Sequence, residues 1–363
     1  MSTVYLALDV HARHCVLGQM NDQGVMLNVV QFPTTEAELI RHVRAIQASR
    51  KLLTLEEGPM ARWIAQTLHP HVDELLICNP HENHLISGGS NKGDHRDVRQ
   101  LCRLLRLGEL KQVYHPADDD RAVFKAAVQA YLDLVNQEVR IKGKIKAKFR
   151  AWGVVVTDTE RIYHPRHRDD YLKRLTQPAI RVQLQSLYDL LDASLHAKRA
   201  AFRQMIDLGQ RYPEIALFRH VPGCGVVSAH VFSAWVQTPH RFANKRQLWR
   251  YAQLGIRDRS SDGKPLGFKR LDREGNGALK QVSYWIGLGA RRRRGANGLK
   301  TYHQASLERT HDKTHARLNT QRKALATLLA MWKHMEDYHD EPPTAATDST
   351  PHTHAAVPSV TGL

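Results

Sequence analysis

Cysteine is scarce in this 363-residue chain, acids are outnumbered, and long apolar runs are missing. Each shortage excludes something. The four cysteines, Cys15, Cys78, Cys102 and Cys224, lie far apart and form no C-x-x-C pair, so neither a zinc ribbon nor a disulfide framework is indicated. A reducing, cytoplasmic setting fits that pattern. No apolar stretch approaches the roughly 20 residues that a membrane-spanning helix needs. The opening MSTVYLALDVHARH has no basic segment ahead of its apolar run, so it does not read as a secretory signal. No internal repeat is visible, and there are no convincing glycine loops of the kind an actin-like ATPase needs for phosphate.

Base, by contrast, is abundant. Lysine and arginine number 53 against 36 acids, a net charge of +17. With 42% hydrophobic and 25% charged residues, the chain has the composition of a globular protein that holds real cores. The positive surplus points to a polyanionic partner, nucleic acid first and an acidic membrane surface second. The lack of apolar spans weakens the membrane alternative. Histidine is frequent, at 22, but scattered; the pairs His164/His167 and His352/His354 stand in a loop and in the tail and suggest no metal site.

Patterning divides the chain. TVYLALD (3–9), HCVLGQM (14–20) and GVMLNVVQF (24–32) read as strands of an antiparallel meander, with NDQG as a turn. TEAELIRHVRAIQA (35–48) reads as a helix, KLLTLEE (51–57) as a strand, ARWIAQTL (61–68) as a helix and DELLICN (73–79) as a strand. DHRDVRQLCRLLRLG (94–108) is a predicted helix with Val98, Leu101 and Leu105 on its apolar side. The expectation is a mixed α/β domain over 1–115. Two long amphipathic patterns follow, 118–150 and 180–207, in which apolar residues step by four, three and four. They predict a helical hairpin, or a coiled coil between chains, over 116–211. A mainly helical region is expected over 212–340. The last stretch, 341–363, is Pro, Thr and Ala with almost no large apolar residue, and is expected to be disordered.

Carboxylates stand out against the basic background. Asp94 and Asp97 are three apart on a predicted helix and so share a face, among Lys92, His95, Arg96 and Arg99. Asp9 ends the first strand and Glu56 ends a later one. Taken singly, such residues are ordinary loop starts or a solvated helix face. Their order along the chain is what a ribonuclease-H-like sheet needs to converge four carboxylates on one point. Oxygen donors of that kind suit a pair of Mg²⁺ or Mn²⁺ ions and argue against zinc.

The C-terminal half adds three features. HVPGCGVVSAHVFSAW (220–235) has a glycine turn between apolar helical patterns, either a plain αα-hairpin or a helix-hairpin-helix that approaches a phosphate. RDRSSDGKPLGFKRLDREGNGALKQ (257–281) carries Ser260 and Ser261 in a Gly- and Lys-rich loop. They are either turn residues or a nucleophile toward phosphorus. RRRRGANG (291–298) and the alternating Arg140, Lys142, Lys144, Lys146, Lys148 and Arg150 are basic stripes suited to phosphate backbones, or solvated helix faces.

Together these residues resemble the DEDD-type transposases of bacterial insertion sequences, the IS one-ten family of bridge-RNA-guided recombinases. The resemblance runs over nearly the whole chain up to the tail. It covers the early strand Asp, the strand-end Glu, K-x-D-x-x-D, the long helical middle, P-G-x-G, RFANKRQLWRYAQLG, the serine loop and REGN. It implies a RuvC-like domain whose metal-binding tetrad is Asp9, Glu56, Asp94 and Asp97, and a transposase domain whose nucleophile is Ser261. It further implies Mg²⁺- or Mn²⁺-dependent cleavage and exchange of donor and target DNA, a noncoding guide RNA, and a homodimer or homotetramer in which different protomers supply the two sites. Three departures leave alternatives open. Ala7 stands where the family often has Gly, and Glu56-Glu57-Gly58-Pro59 replaces E-A-T-G, so that Glu57 rivals Glu56. RDRSSDG is a shortened serine loop in which Ser260 rivals Ser261. Two other classes remain beside this one: a RuvC-like structure-specific nuclease acting without the serine, and a non-catalytic nucleic-acid-binding protein.

Overall fold

The computed structural model describes residues 2–80, 93–115, 119–158, 161–261 and 264–340, with side chains omitted at 258–269. Lys92, His352, His354 and the expected disorder of 341–363 lie outside the described residues. The chain forms two compact units, Met1–Ala117 and Asp118–Leu363.

The first unit is built on a mixed sheet. Strands β1 (Thr3–Val10), β2 (His14–Asn21) and β3 (Met26–Pro33) form the expected antiparallel meander. Helix α1 (Glu36–Arg44) leads to β4 (Arg50–Glu56), and α2 (Ala61–Leu68) leads to β5 (Glu74–Cys78). β4 pairs parallel with β1, and β5 parallel with β4, which gives the order β3-β2-β1-β4-β5. α1 ends at Arg44, short of the predicted 48.

Alternation along the strands sorts side chains to two faces. Val4, Leu6 and Leu8 of β1 and Leu53 and Leu55 of β4 pack with Leu39 and Val43 of α1 and Ile64 and Leu68 of α2. The intervening residues face helix α3 (Asp94–Leu107), whose Val98, Leu101 and Cys102 cover Ala7, Val16 and Cys78. All four cysteines are buried free thiols, and burial pushes the Cys102 thiol up to about 12.

The height of α3 above the sheet is set by small residues. Ala7 and Gly18 stand opposite each other on β1 and β2, directly under Val98. A Cβ added at Gly18 would lie 3.0 Å from Val98 Cγ2, tighter than most such contacts, so that Val98 would have to give way by a few tenths of an ångström. The Ala7/Gly18 floor therefore lets the N-terminal half of α3 settle onto the sheet.

Among the described residues the second unit is helical with one antiparallel pair of strands. α4 (Asp119–Ala151) and α6 (Pro178–Gly209) are the two long helices. They run antiparallel: Asp120 meets Arg211, Glu138 meets Lys198 and Lys148 meets Gln183, so positions rise on one as they fall on the other. The segment between them, expected as a loop, contains a 3-10 turn (Arg161–Tyr163) and helix α5 (Pro165–Leu172). Its Arg168 side chain, 8% exposed, donates to both oxygens of Asp192 at 2.6 Å and lies over Tyr188. That clamp gives a polar, His- and Arg-rich sequence a fixed structure.

The remaining helices are α7 (Glu214–Phe218), α8 (Val226–Val236), α9 (Lys245–Tyr251), α10 (Gly277–Arg292), α11 (Gly298–Thr310) and α12 (Lys313–His334). Phe124 and Val128 of α4 join residues of these helices in one core. Within it Glu214 accepts from Arg121 and from Ser233, a buried charged network. In the turn between α7 and α8, Gly223 has φ +83° and lies against the backbone of α10, where a Cβ would come within 2.2 Å of the Ile286 carbonyl. The P-G-C-G glycine is thus required for helix packing.

The serine segment departs from the expected loop. Strands β6 (Ile256–Ser261) and β7 (Lys264–Leu271) pair antiparallel, with Ser260 opposite Pro265 and Ser261 opposite Lys264. Glycine, proline and charged residues hide the strand periodicity here. The alternating bases of α4 also divide: at steps of two on a helix they fall on two sides, around the buried Ile141, Ile145 and Phe149, and Lys142 pairs with Glu138.

Overpacking the floor beneath α3 should be felt directly. Gly18→Val is expected to destabilise the protein by about 1–3 kcal/mol in urea denaturation, and Val98→Ala in the same chain to restore part of the loss.

Candidate functional site

Asp9 is the last α3-facing residue of β1, in line with Tyr5 and Ala7. Parallel pairing sets Leu8 beside Leu55, so Glu56, one residue further on β4, lies next to Asp9 at the carboxyl ends of adjacent strands. Glu56 also pairs with Cys78, whose side chain packs toward α3; period-two alternation therefore puts Glu56 on Asp9's face. Glu57 has left the strand, and its carboxylate meets His115. Of the two rival glutamates, Glu56 is the one aligned with Asp9.

α3 brings the other two carboxylates. Its first turn holds Asp94 and Asp97, where unpaired backbone N–H groups favour negative charge. His11 Nε2 lies 3.2 Å from Asp9 Oδ2 and 3.6 Å from Asp94 Oδ2, so those oxygens are no farther apart than the sum of the two distances. Both Asp94 and Asp97 act on Asp9 electrostatically. Its carboxyl is held above the usual range chiefly by burial, with His11 opposing and the charges of Asp94 and then Asp97 adding to the rise. The structure thus brings Asp9, Asp94 and Asp97 together around the end of β1, with Glu56 on the neighbouring strand end.

Two residues enter that were not singled out in the sequence. His11 and His14 flank the tight β1–β2 turn, closed by the His11 N–H donating to the His14 carbonyl at 3.0 Å. Thr34 Oγ1 donates to the His11 carbonyl at 2.8 Å. His14 Nε2 lies 3.7 Å from Asp94 Oδ2. The signal was the spacing D-V-H-A-R-H, masked by the frequency of histidine elsewhere in the chain.

The chemistry of this sheet end follows from its donors. Carboxylate oxygens dominate, and a divalent cation would offset the burial that chiefly raises Asp9 and the neighbouring charges that add to it. Carboxylate oxygen is the donor type that Mg²⁺ and Mn²⁺ take, although no three of the four acids present ligand atoms within 4.8 Å of one another in this structure.

The second unit offers a different surface. A cavity of about 1080 Å³ opens between α9, α11, α12 and the start of β6. Some of its basic side chains are structural. Arg322 donates to the Leu254 carbonyl and to Asn319, and burial lowers its pKa. Arg250 and Arg257 hold the buried Asp272, and hydrogen bonding to Glu274 raises Arg257 further. Lys245, Arg246 and Lys323 are exposed on its rim, beside Trp249 and Tyr302. Bases interleaved with aromatics make a surface for a phosphate backbone and its bases. The strand that lines this cavity at Ile256 and Arg257 is the one that ends in Ser260 and Ser261. Arg291 of the RRRR run donates to the Gly287 carbonyl, so that run is only partly available to a partner.

Among the described residues no helix is long and apolar enough to cross a membrane. Residues 215–304 match the family model described as Transposase IS116/IS110/IS902 family. The matched segment spans α7 to α11 and contains the β6–β7 hairpin, and it supports a transposase function for the chain. No curated protein matches the chain.

Because Asp9's folded-state pKa is raised, its ionised form costs stability at neutral pH, and that cost disappears as pH falls below the unfolded value. Asp9→Asn is therefore expected to raise the Tm of metal-free protein by a few degrees near neutral pH, with the advantage vanishing toward pH 4, as read by calorimetry across pH. On the other unit, Lys245→Glu with Arg246→Glu is expected to weaken DNA binding and flatten its log–log salt dependence by about 0.9 per lost phosphate contact, as read by fluorescence anisotropy.

Proposed function

We propose that the protein is a DNA transposase of an insertion element, working with two chemical sites. The observation that carries this reading is the joint presence of a carboxylate cluster at one sheet end and a transposase-family segment that contains the serine hairpin. In this reading the first unit is ribonuclease-H-like, or RuvC-like, supported by the mixed five-stranded sheet with its acids at the carboxyl ends of β1 and β4.

Asp9, Glu56, Asp94 and Asp97 would hold divalent Mg²⁺ or Mn²⁺. Bound there, the ions supply positive charge to the attacking and leaving oxygens of a phosphodiester. The chain's own part is to hold four acids within one small region by pinning α3 to the sheet, and to keep its mouth open to a bulky strand. Asp9 is 25% exposed and Asp94 42% exposed at the side chain, which leaves room for DNA to approach. The exposed bases Arg96 and Arg99 on α3 stand beside the acids and suit the flanking phosphates.

Ser261, or its neighbour Ser260, is assigned the nucleophile that attacks phosphorus, expels one deoxyribose oxygen as a hydroxyl, and carries the remaining DNA end as a phosphoserine until the hydroxyl of a second strand displaces the serine. The rim bases of the second unit would hold the strand that reaches it. A noncoding guide RNA and a homodimer or homotetramer belong to the same proposal by resemblance, along with the Mg²⁺ chemistry. The two-helix arm of α4 and α6 is a long element on which such an assembly would join.

A structure-specific nuclease is the second reading, favoured by the fact that the carboxylate cluster lies wholly inside a compact unit of its own. Strand cleavage and strand exchange on DNA carrying the element ends separate the two. Asp94→Asn is expected to abolish both steps, at least a hundredfold, and Ser260→Ala with Ser261→Ala to abolish exchange. If the serine variant cleaves and exchanges normally, the serine assignment is lost; if Asp94→Asn is also active, the transposase mechanism is lost. Sequencing of RNA that copurifies with the protein tests the guide.

A further inference from the structure

The carboxylates of the first unit are not its complete donor set. His11, His14 and Asp94 form the one group among the described residues that presents three His, Cys, Asp or Glu ligand atoms close enough to share an ion, all within 4.8 Å of one another. We infer that this group is a cation site of its own, selective for a transition-metal ion such as Zn²⁺, Co²⁺ or Mn²⁺ over Mg²⁺. The inference rests on reading this sheet end as a metal site, but it assigns ligands that the carboxylate tetrad does not contain.

Geometry supports it first. Around an ion bound at about 2.0–2.2 Å, tetrahedral ligand atoms stand roughly 3.3–3.6 Å apart. The two imidazole Nε2 atoms lie 3.6 and 3.7 Å from the same oxygen of Asp94, so two edges of such a polyhedron are already near their length. The ring centroids are 4.6 Å apart, and the ligand atoms all lie within 4.8 Å of one another, so the third edge is the one that must shorten. The backbone beneath is fixed: the turn is closed by the His11–His14 hydrogen bond and tied to β3's end by Thr34.

Donor chemistry supports it second. Imidazole nitrogen suits Zn²⁺, Co²⁺ and, less strongly, Mn²⁺, whereas Mg²⁺ holds to oxygen and keeps its waters. Three protein ligands leave an open position, and the side chains are 37–43% exposed, so water or a phosphate oxygen completes the shell. His11 would exchange its contact with Asp9 for the ion. Asp94 belongs to both groups, so an ion held by the histidines competes with Mg²⁺ bound by the tetrad. The site would then act as a brake on Mg²⁺-dependent strand chemistry when zinc is available.

The test uses full-length protein purified without a histidine tag and stripped of metal with a chelator. Co²⁺ titration is expected to give one ion per chain, with the strong visible d–d absorption of a four- or five-coordinate nitrogen–oxygen site. Stoichiometric Zn²⁺ should bleach it, and about a hundredfold excess of Mg²⁺ should not. His11→Asn with His14→Asn should weaken Co²⁺ at least about tenfold and remove the absorption; His11 is exposed and His14 half-buried, and the far-UV spectrum checks the fold. If the double variant misfolds, His14→Asn alone carries the same expectation. Binding that survives these substitutions, weak six-coordinate absorption, or displacement by Mg²⁺ at similar concentration overturns the inference. Asp97→Asn separates it from the tetrad: loss of Mg²⁺-dependent cleavage with Co²⁺ binding retained supports both, and unchanged cleavage with Co²⁺ binding retained removes the tetrad while leaving the histidine site.

Discussion

Like charges at one end of a sheet repel, and the first unit is organised around keeping them together. Asp9 is partly buried and feels the charges of Asp94 and Asp97; His11 beside them offsets part of that repulsion but does not fix where the helix stands. What does is the contact of α3 with β1 and β2, where Val98, Leu101 and Cys102 pack on Ala7 and Val16 over the gap left by Gly18. An apolar contact a turn away from the acids supplies the free energy that their repulsion opposes. Such an arrangement, unfavourable by itself and stabilised by its neighbours, is common where chemistry is done.

The second unit resolves a large positive charge into two populations. Arg121, Arg168, Arg250, Arg257 and Arg322 are fixed by carboxylates or carbonyls and behave as part of the scaffold. Arginine suits that task because its planar fork satisfies several acceptors while remaining charged. Lys245, Arg246 and Lys323 stay at the rim of a broad cavity. The net charge of +17 already subtracts the acids that pair with these arginines, and the location of the exposed bases, beside Trp249 and Tyr302, says more than their number.

Legibility varied with the kind of signal. β1, β2, β4 and β5, and the helices α2, α3, α4 and α6, were readable because apolar residues recur at the period of the element. α5 and the β6–β7 hairpin were not, because their sequences are crowded with charged residues whose partners lie elsewhere in the chain: Arg168 clamps Asp192, and Arg257 bridges to Asp272 and Glu274. Asp9, Asp94 and Asp97 were found in the sequence because acids are conspicuous on a basic chain. His11 and His14 were not found, because a histidine pair across a turn carries no periodicity and the chain is rich in histidine.

Order along the chain was enough to nominate the acids, since each sits at the end of a predicted strand or the start of a predicted helix, and local propensity sets those ends. Folding alone set Glu56 rather than Glu57 beside Asp9, through the parallel register of β4 on β1, and turned the serine segment into paired strands. It also set two imidazoles against Asp94. Those outcomes depend on which strands pair and how closely a helix approaches them, quantities governed by contacts between residues far apart in sequence, which no local pattern contains.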